Sequence, residues 1–208
     1  YNSDRYWGVA KVMRVYGLTG GIASGKSTVA GILRSKNIPV VDADVVAREI
    51  VAPNTSGLQK IVEHFGCEIL SQDGTLNRQK LGDIIFQNPD EKKKLESITH
   101  PRIFGGIAKK LGEYRSNGVS LAFVEAALMV ETGSYRLYEG LVVVGCDDAQ
   151  QLERLMARNH FTLQEAQSRI DSQMPMSEKR SVADYYIDNS GTIGELQQKT
   201  ISFLNKIL

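Results

Sequence analysis

Gly20, four intervening residues and then Gly25-Lys26-Ser27 constrain this chain more than any other stretch, because their spacing by itself dictates a chemistry. Met13 to Leu18 is a short apolar run that ends in glycines. Val29-Ala30-Gly31-Ile32-Leu33 continues with helical spacing, so the order is strand, glycine-rich loop, helix start. A loop that wraps an anion with inward N–H groups needs positive φ and close approach, both of which a Cβ obstructs. A helix beginning at Lys26 adds unpaired N–H groups and partial positive charge beneath the anion. The spacing is that of the Walker A loop, in which Lys26 reaches the β- and γ-phosphates of a nucleotide and Ser27 ligates a bridging Mg²⁺. A glycine-rich turn that binds nothing is the alternative, and the agreement of every fixed position with both flanking elements disfavours it.

Composition narrows the surroundings of that loop. The 208 residues suit one α/β domain with insertions, and 42% hydrophobic content suffices for a sizeable core. Basic and acidic residues balance at 25 against 24, so no overall field favours nucleic acid or an anionic membrane, and a small-molecule partner is expected. Cys67 and Cys146 have neither CxxC spacing nor a histidine cluster, which leaves zinc, haem and a disulfide framework without support. With no apolar run near the roughly 18 residues of a membrane span, and no signal-peptide core, the expected location is the cytoplasm.

Residues 1–12 read as an extension outside the core, with Met13 a candidate natural start. After the loop helix, Asn37 ends a turn and Ile38-Pro39-Val40-Val41 forms a second strand with Asp42-Ala43-Asp44 at its carboxyl end. Alternation would set both aspartates on one face, at the sheet edge where ligands of open parallel sheets bind. Asp42 is thus either a strand-end residue or a water-mediated Mg²⁺ ligand. Asp44 is either the N-cap of a helix over 45–51 or a catalytic carboxylate.

The period is helical over residues 55–117, which reads as a substrate-holding insertion too long for an ordinary crossover. Its apolar stripes are Leu58-Ile61-Val62-Phe65 and Leu76-Leu81-Ile84-Ile85-Phe86. Pro89 opens a charged helix through Leu95, and a separate helix starts at His100-Pro101, with His100 an N-cap or a core histidine. Val119 to Val124 and Leu141 to Gly145 are buried parallel strands. Glu125, at the end of the first, either holds Mg²⁺ through water, pairs with Lys26 or stands in solvent. Gln150 to Asn159 is a helix with Arg154 and Arg158 on one face, and Thr162-Leu163-Gln164-Glu165 is a capping box opening another that carries Arg169. Residues 149–182 therefore fit a lid whose guanidinium groups close on phosphate, although solvated arginines explain the same spacing. Tyr185 to Asp188 is the last strand and Ile193 to Leu208 the closing helix.

The sequence resembles the dephospho-coenzyme A kinase family from Arg14 almost to its end. The resemblance rests on LTGGIASGKST at 18–28, VVDADVVAREI at 40–50, GTLNRQKLGDIIFQNP at 74–89, HPRI at 100–103, QLERLMARN at 151–159 and ADYYIDNSG at 183–191, in that order. It implies a three-layer α/β fold of the P-loop kinase type. The core is a doubly wound sheet of five parallel strands (about 13–54, 118–148 and 183–208), with a helical coenzyme-binding insertion (about 55–117) and a helical lid (about 149–182). It also implies transfer of the ATP γ-phosphoryl group to the ribose 3′-hydroxyl of dephospho-coenzyme A, the last step of coenzyme A synthesis. Asp44 would act on that hydroxyl as base or orienting group, with Lys26, Mg²⁺ on Ser27, and Arg158 assisted by Arg154 carrying the charge. Gly21, Ile22, Ala23, Ser24, Gly25, Lys26, Ser27 and Thr28 would embrace the phosphates, the turn containing Asn189 would lie near the adenine, and His100 would touch the acceptor.

One departure from the family pattern is Ala127, which stands where proline is usual after the third strand and puts the setting of Glu125 in question. The first eleven residues have no counterpart. Two other readings keep the loop: a kinase of another small acceptor such as a nucleoside monophosphate, and a nucleotide-binding regulator without transfer activity. Guanine-selective switches need an NKxD segment, and Asn205-Lys206 continues instead with Ile207-Leu208.

Overall fold

The computed structural model describes residues 12–208, so all but the last residue of the expected extension lies outside the described residues. Strand β1 (Arg14–Gly20) leads through the glycine-rich loop into helix α1 (Lys26–Ser35), as the sequence predicts. β2 (Val40–Asp42), β3 (Leu121–Glu125), β4 (Gly140–Gly145) and β5 (Tyr185–Asp188) complete a sheet of order β2-β3-β1-β4-β5 among the described residues. The non-sequential order is that of a doubly wound sheet. β1 runs parallel to β4 with Gly20 opposite Val144, and β4 parallel to β5 with Gly145 opposite Asp188. That register brings the loop after β1 and the turns after β4 and β5 to one edge of the sheet.

The chain divides into two compact units. The first holds the described residues up to Val40, together with Tyr114–Phe123 and Ala127–Leu208; the second is Val41–Glu113 with Val124–Ala126. In the first, apolar residues of β1, β3, β4 and β5 pack with α1 and α9 (Ile193–Ile207). Leu18, Leu33 and Phe123 are fully buried there, and the rings of Phe123 and Phe203 meet edge to face at 6.1 Å. Helices α6 (Asp148–Asn159), α7 (Leu163–Asp171) and α8 (Met176–Ser181) belong to the same unit. The capping box at Thr162 forms as predicted, its hydroxyl taking the Glu165 N–H while the Glu165 carboxylate takes the Thr162 N–H. Thr162→Ala is expected to cost about 1 kcal/mol, read as a lower urea midpoint. α8 has no counterpart in the sequence reading, because MSEKRS offers neither apolar spacing nor a side-chain cap.

The second unit contains α2 (Ala43–Glu49), α3 (Ser56–Phe65), α4 (Arg78–Gln87) and α5 (Pro89–Ser116) as far as Glu113. Its own small core joins Val51, Ile61, Phe65, Ile69, Leu81 and Ile98. The stripe over 76–86 packs as expected except at its end, where Phe86 is 90% exposed. α5 corrects the expectation of two helices, since it runs unbroken through Pro101. A mid-helix proline removes one donor and crowds the preceding turn. The carbonyl that loses its donor here is Ser97 O; nearby, Thr99 Oγ1 donates to Leu95 O at 2.9 Å and Arg102 Nη1 to Ile98 O at 2.6 Å. No helix among the described residues is long and apolar enough to cross a membrane.

Candidate active site

The loop after β1 has the backbone of an anion cradle. Ala23 (φ +59°) and Gly25 (φ +94°) are both left-handed, which alternates the backbone and turns successive N–H groups toward one concavity. Gly25 is the N-cap of α1, so Lys26 and Ser27 stand in the first helical turn, with Ser27 exposed. A Cβ on Gly25 would lie 2.0 Å from Asn189 Nδ2, so glycine is required for space as well as for φ. Asn189 is buried and donates from that amide nitrogen to Ser24 O at 2.8 Å.

The turn after β5 is itself fastened. The Asp188 carboxylate accepts from Lys199 Nζ at 2.6 Å and from Ser190 Oγ at 2.7 Å, and these bonds hold its carboxyl below the usual carboxylate range. Arg154 Nη1 donates to Asn189 O at 3.0 Å. Arg154 and Arg158 line a cavity of about 300 Å³ together with Gly25, Thr28, Asn189 and Gly191. The helix spacing of the two arginines thus does place both beside the cradle. Arg169 instead stacks on Phe161, with its guanidinium carbon 4.5 Å from the ring centre. A second cavity of about 860 Å³ borders Gly21 and is lined by Cys146, Gln151, Gln173, Met176 and Tyr186 among others. Burial pushes the Cys146 thiol up, with Arg154 opposing the shift, and both Cys146 and Cys67 are free thiols.

The remaining candidates belong to the second unit, and the structure revises their local roles. β2 ends at Asp42, and Asp44 already lies in the first turn of α2, so the two carboxylates do not share a strand face. The N-cap is Asp42, whose Oδ1 accepts from Asp44 N at 2.8 Å and Val45 N at 3.1 Å. Asp44 is exposed and has no capping duty. Glu125, at the carboxyl end of β3, is 4% exposed and so is not a solvated loop carboxylate. His100 is neither N-cap nor core: it is exposed within α5, edge to face with Phe104 at 6.3 Å.

Comparison with known proteins decides among the families that share such a loop. The model of the dephospho-CoA kinase family matches residues 14–195. The chain belongs to this family. A dephospho-CoA kinase of Lactobacillus johnsonii is 42% identical over 191 residues, covering 92% of this chain and 96% of that protein. Among solved structures, the dephospho-CoA kinase of Campylobacter jejuni superposes with a TM-score of 0.69 at 31% identity, covering 93% of this chain and 96% of its own. A Thermus thermophilus protein superposes with a TM-score of 0.82 at 30% identity, covering 95% of this chain and all of its own.

Membership in the dephospho-CoA kinase family says nothing by itself about what holds the cradle in shape. Two residues do so without any sign in the sequence of that role: Gln151, which opens the QLERLMARN segment, and Gln173 bind the Ile22 backbone from 129 and 151 residues away. A glutamine amide has no partner at fixed spacing in sequence, so only the fold reveals what it binds.

Proposed function

We propose that this chain transfers the γ-phosphoryl group of ATP to the ribose 3′-hydroxyl of dephospho-coenzyme A, giving ADP and coenzyme A. The observation that supports this best is the cradle itself: a loop with left-handed turns at Ala23 and Gly25, flanked by Arg154 and Arg158, in a member of the dephospho-CoA kinase family. The acceptor oxygen attacks the γ-phosphorus, the bond from that phosphorus to the β-bridging oxygen breaks, and ADP leaves. Such a transition state is loose, so most of the rate comes from positioning and from charge placed around the transferring group.

The backbone from Gly21 to Thr28 binds the phosphates, Lys26 meets the β- and γ-oxygens, and Arg158 with Arg154 neutralises charge from the α6 side. Asn189 and its turn border the adenine end. Asp44 orients the 3′-hydroxyl and accepts its proton late in the transfer, and His100 contacts the acceptor. Ser27 offers an exposed hydroxyl, a hard oxygen donor that fits Mg²⁺ shared with nucleotide phosphates, and the carboxylate of Asp42 or Glu125 is of the chemistry to act on such an ion through water. Mg²⁺ held there would offset the negative charge of the nucleotide phosphates.

The test is to incubate the protein with ATP, Mg²⁺ and dephospho-coenzyme A beside nucleoside monophosphates and small alcohols, following ADP and the mass of each acceptor. One phosphate is expected on dephospho-coenzyme A alone, at the 3′ position. Transfer to a different acceptor would overturn the substrate, and ATP binding with no transfer would overturn the enzyme.

A further inference from the structure

Both backbone polar groups of Ile22 are held by side chains from outside the loop. Gln151 Nε2, on α6 and 5% exposed, donates to Ile22 O at 2.8 Å. Gln173 Oε1, on the connector between α7 and α8, accepts from Ile22 N at 2.8 Å. The connector is in turn held from the other side. Met174 N donates to Glu131 Oε1 at 3.3 Å, and the same oxygen accepts from Lys179 Nζ on α8 at 2.5 Å. Lys179 is fully buried and also donates to Ala127 O at 3.1 Å, a carbonyl that accepts from Thr19 Oγ1 of β1 at 3.3 Å.

A buried ammonium is costly unless its charge and its protons are satisfied. Here the pair joins α8, the loop after β3 and, through the Ala127 carbonyl, β1. The hydrogen bonds therefore form a circuit that leaves β1 at Thr19 and returns at Ile22, three residues further along the same chain. Ile22 immediately precedes Ala23, whose left-handed backbone is unfavourable for a residue with a Cβ and persists only where its surroundings impose it.

We propose that Gln173 is a positioning residue for phosphoryl transfer: it fixes the Ile22 peptide so that the following amides converge on the phosphates, and the Lys179–Glu131 pair sets where its connector stands. The proposal rests on the kinase reading for its consequence in catalysis, but its geometry is read from ATP binding alone.

Gln173→Met keeps the length of the side chain and removes the acceptor. The expected results are faster hydrogen exchange at the Ile22 amide and an ATP Kd raised by about 3–10-fold, the equivalent of one hydrogen bond. The KM for ATP should rise with it while the melting temperature stays near that of the parent chain. Gln173→Glu retains the acceptor and should retain the protection of Ile22. Lys179→Met, or Glu131→Gln if the former does not fold, should weaken ATP binding in the same sense and add little to Gln173→Met, since the two act through one contact. Parent-like ATP affinity and Ile22 exchange in Gln173→Met would overturn the proposal. A parent chain that binds ATP without transferring phosphate would instead overturn the kinase reading, leaving the ATP-binding result on Gln173 standing.

Discussion

Lys26→Ala is expected to lower the rate of phosphoryl transfer by about 10²–10³-fold while the protein remains folded. Lys26 opens α1 beside the cradle, where on the proposed mechanism its cation would meet charge that grows on the transferring phosphoryl group. The remaining cradle consists of backbone, which the substitution leaves in place, and alanine is an excellent helix former at this position. Nucleotide binding should therefore weaken less than transfer does. Steady-state rates at saturating dephospho-coenzyme A, beside a melting curve, check the expectation. A variant that transfers at the parent rate would remove Lys26 from the mechanism. One that melts far below the parent would make the residue structural.

The phosphate loop was legible because its requirement is written in residue types. Only glycine can stand at φ +94° with Asn189 Nδ2 where its Cβ would be, and only a strand before and a helix after can aim the amides. The buried strands were legible for a related reason: VVV in β4 and LAFV in β3 are continuous apolar runs that a sheet covered on both faces demands. Errors arose where a local rule met a longer-range competitor. Pro101 reads as a helix start by itself, but α5 runs through it and forgoes only the bond that an N–H at 101 would give Ser97 O. For Asp44 a cap and a catalytic carboxylate are both open in the sequence, and the cap falls instead to Asp42, which reaches the first N–H groups of α2. For Glu125 a solvated loop position stays open beside a functional one, because a carboxylate after an apolar run gives no sign of its own burial. The role of Gln151 and Gln173 is not legible in sequence, since it is created entirely by the folding of α6 and the α7–α8 connector around Ile22.

Asp44→Asn is expected to reduce transfer by about 10²–10⁴-fold, the range in which a positioned acid or base acts. The substitution is isosteric and removes only the capacity to take a proton. Its cost to the fold should be small. Asp42 carries the capping bonds of α2, and Asp44 contributes to that helix only through a negative charge in the first turn, worth about 0.3–1 kcal/mol at an exposed site. ATP affinity should stay close to that of the parent, because the residue is assigned to the acceptor hydroxyl and not to the nucleotide. This separates the catalytic reading from two others in one set of measurements. A nucleotide-binding regulator would show parent-like behaviour in every respect, having no transfer to lose. A residue that holds Mg²⁺ with the nucleotide would lose ATP affinity along with rate, and raising Mg²⁺ would recover part of it. Loss of rate at unchanged ATP affinity, insensitive to Mg²⁺, is the outcome that assigns Asp44 to the attacking oxygen.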